Sequence, residues 1–293
     1  MPENFLGLQG GLVELDKARF VVLPICYDDT ASYLKGTVNA PPAIITASTQ
    51  LEFFDEILLD DFHNCGIHTA PAVKPNGMTP EQVQQQIYET ARPFIQAGKF
   101  VFALGGEHSI TIALVRAAAE KFPDISVLQI DAHADLRDEY EGSRFSHACV
   151  MRRIYDMNIP AVGVGIRSFN KDQHRFIVEK GLNIFGPAVI AQNKNWIADV
   201  LAGLTNNVYL SFDIDGLDPA FVPGTGTPEP GGLTYEQVTE LILALGRNKK
   251  IVGADLVEVI PGIAGVTTEF SAARLAYKII AAAQLSERPR RDS

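Results

Sequence analysis

Short apolar runs that stop abruptly at polar clusters constrain this chain most. Ile125-Ser126-Val127-Leu128-Gln129-Ile130 leads into Asp131-Ala132-His133-Ala134-Asp135, and Val208-Tyr209-Leu210-Ser211-Phe212 leads into Asp213-Ile214-Asp215. Phe100 to Leu104 ends in Gly105-Gly106-Glu107-His108-Ser109, and Ile251 to Val257 ends at Glu258. Runs of this length, rich in β-branched residues and without polar alternation, are expected of strands buried on both faces. Arg19 to Cys26 and Ala161 to Ile166 read the same way.

Helical patterns fall between the runs. One starts at Pro41-Pro42 and extends to about Glu56. A second starts at Thr79-Pro80-Glu81-Gln82, with Thr79 as N-cap and Pro80 in the first turn. Ser109 is expected to cap a third helix, Ser146-His147 to open a fourth, and another follows Arg167-Ser168. Thr234 caps one more, and the last spans roughly Thr268 to Leu285. Residues 1–18 read as irregular, 60–78 and 223–232 as Pro/Gly-punctuated loops, and 286–293 as a disordered tail. With no repeat or linker, residues 1–293 are expected to form a single domain. Alternating strands and helices imply a parallel sheet covered on both faces. Sites in such sheets lie beyond the carboxyl ends of the strands, where His108, Asp131, Asp213 and Glu258 all fall.

Geometry sharpens this. Strand residues two apart share a face about 6.6 Å apart, so Asp213 and Asp215 are expected to face neighbouring ions from one strand. Asp131 to Asp135 would span about 13 Å if extended, too far for one cluster. The chain therefore turns just after Asp131, and His133 and Asp135 curl back. Four converging carboxylates repel unless some are protonated or cations neutralise them. Two divalent cations, roughly 3.5–4 Å apart in hydrolytic two-metal sites, do this. Exposed turn and cap aspartates would explain either cluster alone, but not both together with His108.

The net charge of -10 disfavours nucleic acid and acidic membranes as partners and suits a small cationic substrate. Cys26, Cys65 and Cys149 are odd in number and contain no CxxC, so neither a disulfide framework nor a thiolate metal site is expected. The role of Cys149 is open. Neither a signal peptide nor a membrane-length apolar run is read, which makes a cytoplasmic location the expectation.

The ordered set GGEHS, DAHADLR, FSHAC, SFDIDGLDP and DLVEVIP resembles the ureohydrolase family of arginases, agmatinases, formiminoglutamases and guanidino-acid hydrolases, over about residues 20 to 285. DAHADLR, YEG, SHAC and PGTGTPEPGG are most similar to the agmatinase branch. The resemblance implies an arginase-like three-layer α/β/α domain around a mostly parallel eight-stranded sheet. It further implies two Mn2+ per chain and a homo-oligomer, trimer or hexamer. By motif, one manganese is held by His108, Asp131, Asp135 and Asp213, the other by His133, Asp131, Asp213 and Asp215, with Asp131 and Asp213 bridging. Oxygen-rich ligands of this kind suit manganese. His147 matches the family's proton-shuttling histidine, Glu258 its guanidinium-binding glutamate, and Asp135 takes a proton from the attacking water.

The implied activity is cleavage of agmatine or aminopropylagmatine to urea and putrescine or spermidine. Guanidino-acid, arginase and formiminoglutamase-type C–N hydrolysis are the alternatives. Two departures bear on substrate choice: the loop reads Thr37-Val38-Asn39-Ala40-Pro41 where many relatives carry an arginine and a glycine, and Phe145 stands where many agmatinases have tyrosine. Asp138, Glu139 and Glu141 are acidic residues available to a distal ammonium, whereas Arg137, Arg144 and Arg167 are available to a substrate carboxylate.

Overall fold

The computed structural model describes residues 4–286. Its strands are β1 (Phe20–Pro24), β2 (Phe54–Asp55), β3 (Asp60–Asp61), β4 (Ile67–Thr69), β5 (Phe100–Leu104), β6 (Ile125–Ile130), β7 (Ala161–Val164), β8 (Asn183–Phe185), β9 (Asn207–Asp213) and β10 (Lys250–Val257). Its helices are α1 (Ala40–Ser48), α2 (Pro80–Gln96), α3 (Thr111–Ala119), α4 (Val150–Asp156), α5 (Lys171–Lys180), α6 (Pro187–Gln192), α7 (Trp196–Ala202), α8 (Tyr235–Asn248) and α9 (Thr267–Leu285).

Eight strands form one sheet in the order β4-β1-β5-β10-β9-β6-β7-β8, with every pair parallel. The two-residue side-chain period divides each strand between two cores. Phe102, Leu104, Leu128, Ile130, Leu210 and Phe212 pack under α1, α8 and α9 on one face. Val101, Ala103, Val127 and Tyr209 pack under α2, α3 and α4 on the other. Parallel strands covered on both sides explain the absence of polar alternation in their sequences.

The central four strands matter most. β5 and β6 are consecutive in the chain, yet β10 and β9 lie between them. The connection after β5 therefore passes over two strands, which opens a crevice at the carboxyl ends. The register pairs Ile130 with Phe212 and Val257 with Asp213. Asp131, Asp213 and Glu258 consequently leave the sheet at nearly one level.

Local chemistry corrects several expected boundaries. The first helix ends at Ser48, not near Glu56. Residues 54–61 instead form the antiparallel β2–β3 ribbon, whose Asp55 carboxylate meets the buried Lys278 ammonium at 2.5 Å. That buried ion pair stands where the helix was expected to continue. Ser109 is not a helix cap: its hydroxyl donates to Glu107 within a 3-10 turn, His108–Ile110, and α3 starts at Thr111 without a side-chain cap. Asp215 is not on the strand with Asp213; it lies in the 3-10 turn Ile214–Gly216. Residues 60–78 contain edge strand β4, and the segment read as irregular contains 3-10 turns at Phe5–Gly7 and Gly10–Leu12 that bury Phe5 and Leu6. Thr79 and Thr234 both cap their helices as expected, and the structure shows that each does so within a capping box, with Gln82 and Gln237 as reciprocal partners. The tail expected to be disordered lies outside the described residues beyond Ser286.

Candidate metal centre

Four strand ends bring the polar clusters together. After β5, the Gly105-Gly106 pair passes so close to the β1 exit that a Cβ on Gly106 would stand 2.0 Å from the Tyr27 carbonyl oxygen. Glycine is needed here for close approach, not for a left-handed backbone. The Glu107 N–H donates to that carbonyl at 2.8 Å, and His108 follows directly into the crevice.

After β6 the chain turns sharply, as the spacing requires. The His133 N–H donates to Asp131 Oδ1 at 2.5 Å, and Gln129 Nε2 donates to Asp131 Oδ2 at 2.8 Å. Asp135 then adopts a left-handed φ of 49°. Glu258, after β10, has φ 64°. Non-glycine residues in this region carry backbone strain that the surrounding fold must hold, and such strain gathers at functional sites.

The result is a compact acidic cluster around two imidazoles. His108 Nδ1 lies 3.1 Å from Asp131 Oδ2, 3.1 Å from Asp135 Oδ2 and 3.5 Å from Asp213 Oδ2. His133 Nδ1 lies 2.9 Å from Asp215 Oδ2 and 3.7 Å from Asp131 Oδ1. Asp131 thus turns one oxygen toward each histidine. Two ligand groupings result, His108/Asp131/Asp213 and Asp131/His133/Asp215, each with donor atoms within 4.8 Å of one another. Asp131 belongs to both; Asp213 appears only in the first, although its Oδ1 accepts the Asp215 N–H at 2.9 Å.

These residues fit a pair of cations. His108 Nδ1 is buried without a hydrogen-bond partner among the described residues, although three carboxylate oxygens surround it. Its other nitrogen, Nε2, lies 2.8 Å from Ser211 Oγ, whose own proton goes to Asp255 Oδ1 at 2.9 Å. Ser211 therefore accepts from Nε2–H, and Nδ1 is turned toward the carboxylates. Burial opposes a charge on the ring, but Asp131 and Asp135 outweigh it and raise its pKa well above the ordinary value, so without a cation a proton stands at Nδ1. A metal cation fits that point in the proton's place.

The electrostatics agree. Burial, then Asp215 and Asp131, push the Asp213 carboxyl far above the ordinary range. Burial and the Asp131 charge push Asp135 up to about 6. Burial opposes a charge on His133, but Asp131 and Asp215 outweigh it and raise the imidazole to about 12. Without cations, the cluster satisfies its charge by holding protons.

Beside the cluster opens a cavity of about 360 Å³, lined by His108, His133, Asp135, Asp213, Asp215, Glu258 and His147. Glu258 Oε1 accepts the His108 N–H at 2.7 Å, and burial with Glu107 nearby pushes its carboxyl up to about 8. His147 follows the N-cap Ser146; Tyr140 stands edge-on to its ring at 5.8 Å, and burial lowers its pKa.

Every site residue expected from sequence therefore borders one centre. Sequence reasoning missed Ser32, Tyr33 and Leu34 on the loop after β1, together with Phe169, Asn170 and Gln173, which also line the cavity. They belong to no motif, and loop residues give no periodic signal. Ser211 and Asp255 were visible only as members of apolar strands.

Two substrate-related expectations change. Asp138, Glu139 and Glu141 do not line the cavity, and Asp138 is engaged by Arg153 at 2.5 Å and Arg144 at 3.2 Å. Arg144 is thereby committed. Arg167 is committed too, donating to the carbonyls of Asp215, Glu229 and Pro230. Arg137 does line the cavity, with its guanidinium 4.7 Å from the Tyr140 ring centroid.

The Arginase family model matches residues 18–282, so the chain belongs to the arginase family, whose members depend on a binuclear metal centre. It is 40% identical to the N(1)-aminopropylagmatine ureohydrolase of Synechocystis sp., over 95% of this chain and 93% of that protein. It is 35% identical to the agmatinase of Pyrococcus horikoshii, over 92% and 93%. The solved agmatine ureohydrolase of Thermoplasma volcanium superposes with a TM-score of 0.86 at 30% identity, covering 97% of this chain and 94% of that one.

Proposed function

We propose that this chain, as a single ureohydrolase domain, hydrolyses a small cationic guanidino-amine. Agmatine or aminopropylagmatine would give urea and putrescine or spermidine, a step of polyamine biosynthesis. The observation that carries the reading is the placement of Glu258 in one cavity wall beside the His108/Asp131/Asp213 and Asp131/His133/Asp215 groupings. The names of the relatives support the amine as substrate.

His108, Asp131, Asp135 and Asp213 would hold one manganese, and His133, Asp131, Asp213 and Asp215 the other. A bound pair supplies a water that ionises near neutral pH. Glu258 receives the planar guanidinium through charge-assisted hydrogen bonds. Its Oε1 already accepts one bond, but a carboxylate retains further lone pairs for two N–H groups. Asp135 takes the proton of the attacking water. The water oxygen adds to the guanidinium carbon, and the C–N bond to the substrate chain then breaks. Asp135 passes its proton on and His147 relays it to the departing amine, a task suited to an imidazole, so both side chains return to their starting state. Water and guanidinium thus become urea and an ammonium product.

Among the described residues no helix is long and apolar enough to cross a membrane, and the cysteines are free. These features support a cytoplasmic enzyme. The family resemblance supports a homo-oligomer, a trimer or hexamer. Arg137 at the cavity favours a second reading, a substrate whose far end carries a carboxylate. Urea release from agmatine, aminopropylagmatine, arginine and 4-guanidinobutyrate by the manganese-loaded protein tests the reading. Activity confined to a carboxylate-bearing compound would overturn the amine assignment, and no urea from any of them would overturn the reaction class.

A further inference from the structure

Glu107 is fully buried, does not line the cavity and has no part in the chemistry above, yet its carboxylate is densely engaged. Oε2 accepts the Thr30 N–H at 2.7 Å. Oε1 accepts the Thr30 hydroxyl and the Ser109 hydroxyl, both at 2.5 Å. Thr30 Oγ1 in turn accepts the His147 N–H at 3.1 Å. One carboxylate therefore joins three segments: the strand end that carries His108, the loop after β1, and the turn that carries His147.

The loop after β1 is fixed at its other end as well. Asp28 Oδ2 accepts the Gly36 N–H at 2.8 Å and the Val38 N–H at 3.3 Å. Between these ties, Ser32, Tyr33 and Leu34 are exposed and line the cavity, and Ser32 Oγ reaches to 3.5 Å from His147 Nε2. The rim has little burial of its own, so its place depends on its ends.

We propose that Glu107 is a positioning residue: its buried carboxylate pins loop 28–36 and the His147 turn to the His108 strand end, which keeps substrate wall and proton carrier in register with the metal-holding side chains. A carboxylate suits this because it accepts from several donors and donates nothing. In Glu107→Gln an amide NH2 replaces one acceptor and faces Thr30 donor to donor, which breaks a charge-assisted bond inside the protein. The inference rests on the proposed function only for its kinetic readout.

The test compares the full-length wild type with Glu107→Gln, Thr30→Ser and Thr30→Val, each loaded with manganese. Metal content, kcat and KM for the guanidino-amine, and backbone hydrogen exchange are measured. Glu107→Gln and Thr30→Val should keep wild-type metal content, raise KM about tenfold or more, and lower kcat. Amides of residues 30–36 and of His147 should exchange faster, with β5, β6, β9 and β10 unchanged. Thr30→Ser keeps all the hydrogen bonds and should behave as wild type. A merely stabilising role predicts lower Tm with kcat, KM and local exchange intact, and that result overturns the proposal. So does metal loss in Glu107→Gln comparable to His108→Ala, or damage in Thr30→Ser equal to that in Thr30→Val. If Glu107→Gln does not fold, Thr30→Val decides on the same measurements. If the wild type releases no urea, the substrate reading fails, and the exchange pattern still decides the role of Glu107.

Discussion

His108 Nε2, in the turn that follows β5, lies 2.8 Å from Ser211 Oγ on β9, two places along the sheet, and this contact fixes which nitrogen of the ring faces the carboxylates. Asp255, accepting from Ser211, Thr111 and Tyr209, orients the serine hydroxyl. Ser211→Ala removes the acceptor for Nε2–H and lets the ring change tautomer. The expected outcome is about 10- to 100-fold weaker metal binding at the His108 position, as for other partners of ligating histidines. Manganese titration monitored by calorimetry checks this; two unchanged affinities would contradict the relay.

Asp131 turns its two oxygens toward different histidines, whereas Asp215 meets only His133. Asp131→Asn should therefore deplete both metals, and Asp215→Asn chiefly the one beside His133. Elemental analysis after reconstitution and desalting distinguishes the two. Equal, mild losses in both variants would remove Asp131 from its shared role.

Removal of the metals should invert the usual acid sensitivity of the fold. Asp135 at about 6, Glu107 at about 7, Glu258 at about 8 and His133 at about 12 all lie above their ordinary values, so the folded, metal-free state binds more protons than the unfolded one. Stability gained this way is fully present below the unfolded pKa values and is lost as pH rises through the folded ones. His147, lowered, opposes this only below its ordinary 6.5. The Tm of chelator-treated protein should fall from about pH 5 to about pH 9, while manganese should raise Tm most at the alkaline end, where protons no longer compete for the ligands. Thermal unfolding with and without chelator measures both slopes. A metal-free Tm that rises over this window would refute the arrangement.

How much of this was legible in the sequence depends on how local each signal is. The six residues proposed as metal ligands follow apolar runs, and strand ends in a parallel sheet converge, so His108, Asp131 and Asp213 could be grouped from the sequence. The helix caps at Thr79 and Thr234 are likewise local signals. Illegible were features made by distant partners. Lys278 reaches back across the sequence to pair with Asp55 in the β2–β3 ribbon, which stands where the helix was expected to continue. Arg153 and Arg144 neutralise Asp138, which in sequence looked free to meet a substrate. Ser211 and Asp255 alternate on β9 and β10 among apolar residues, and only the register between the strands makes them a pair.

His147 touches the cavity without belonging to either ligand grouping. His147→Phe should lower kcat by about 10²-fold through lost proton transfer, with metal content unchanged. Metal loss in this variant would make His147 a ligand instead.

Substrate choice turns on Arg137. The carboxylates lining the cavity would be largely neutralised by bound cations, with Glu258 reserved for the guanidinium, and among the described residues Arg137 brings an arginine-type charge to the lining. Its contact with Tyr140 fixes its plane but leaves its charge. A distal ammonium is repelled by that charge, and a distal carboxylate is attracted. On the proposed function, kcat/KM is nonetheless highest for agmatine or aminopropylagmatine, which means the amine is held clear of Arg137. Arg137→Gln should then raise kcat/KM modestly for the amines and lower it for 4-guanidinobutyrate. A tenfold change needs only about 1.4 kcal/mol, within reach of one such charge. The difference between substrates should shrink at high salt, because the cavity mouth is open to screening. If wild-type protein instead prefers 4-guanidinobutyrate or arginine, and Arg137→Gln abolishes that preference, the chain is a guanidino-acid hydrolase in which Arg137 recognises the carboxylate, and the assignment to the amine fails while the metal centre stands.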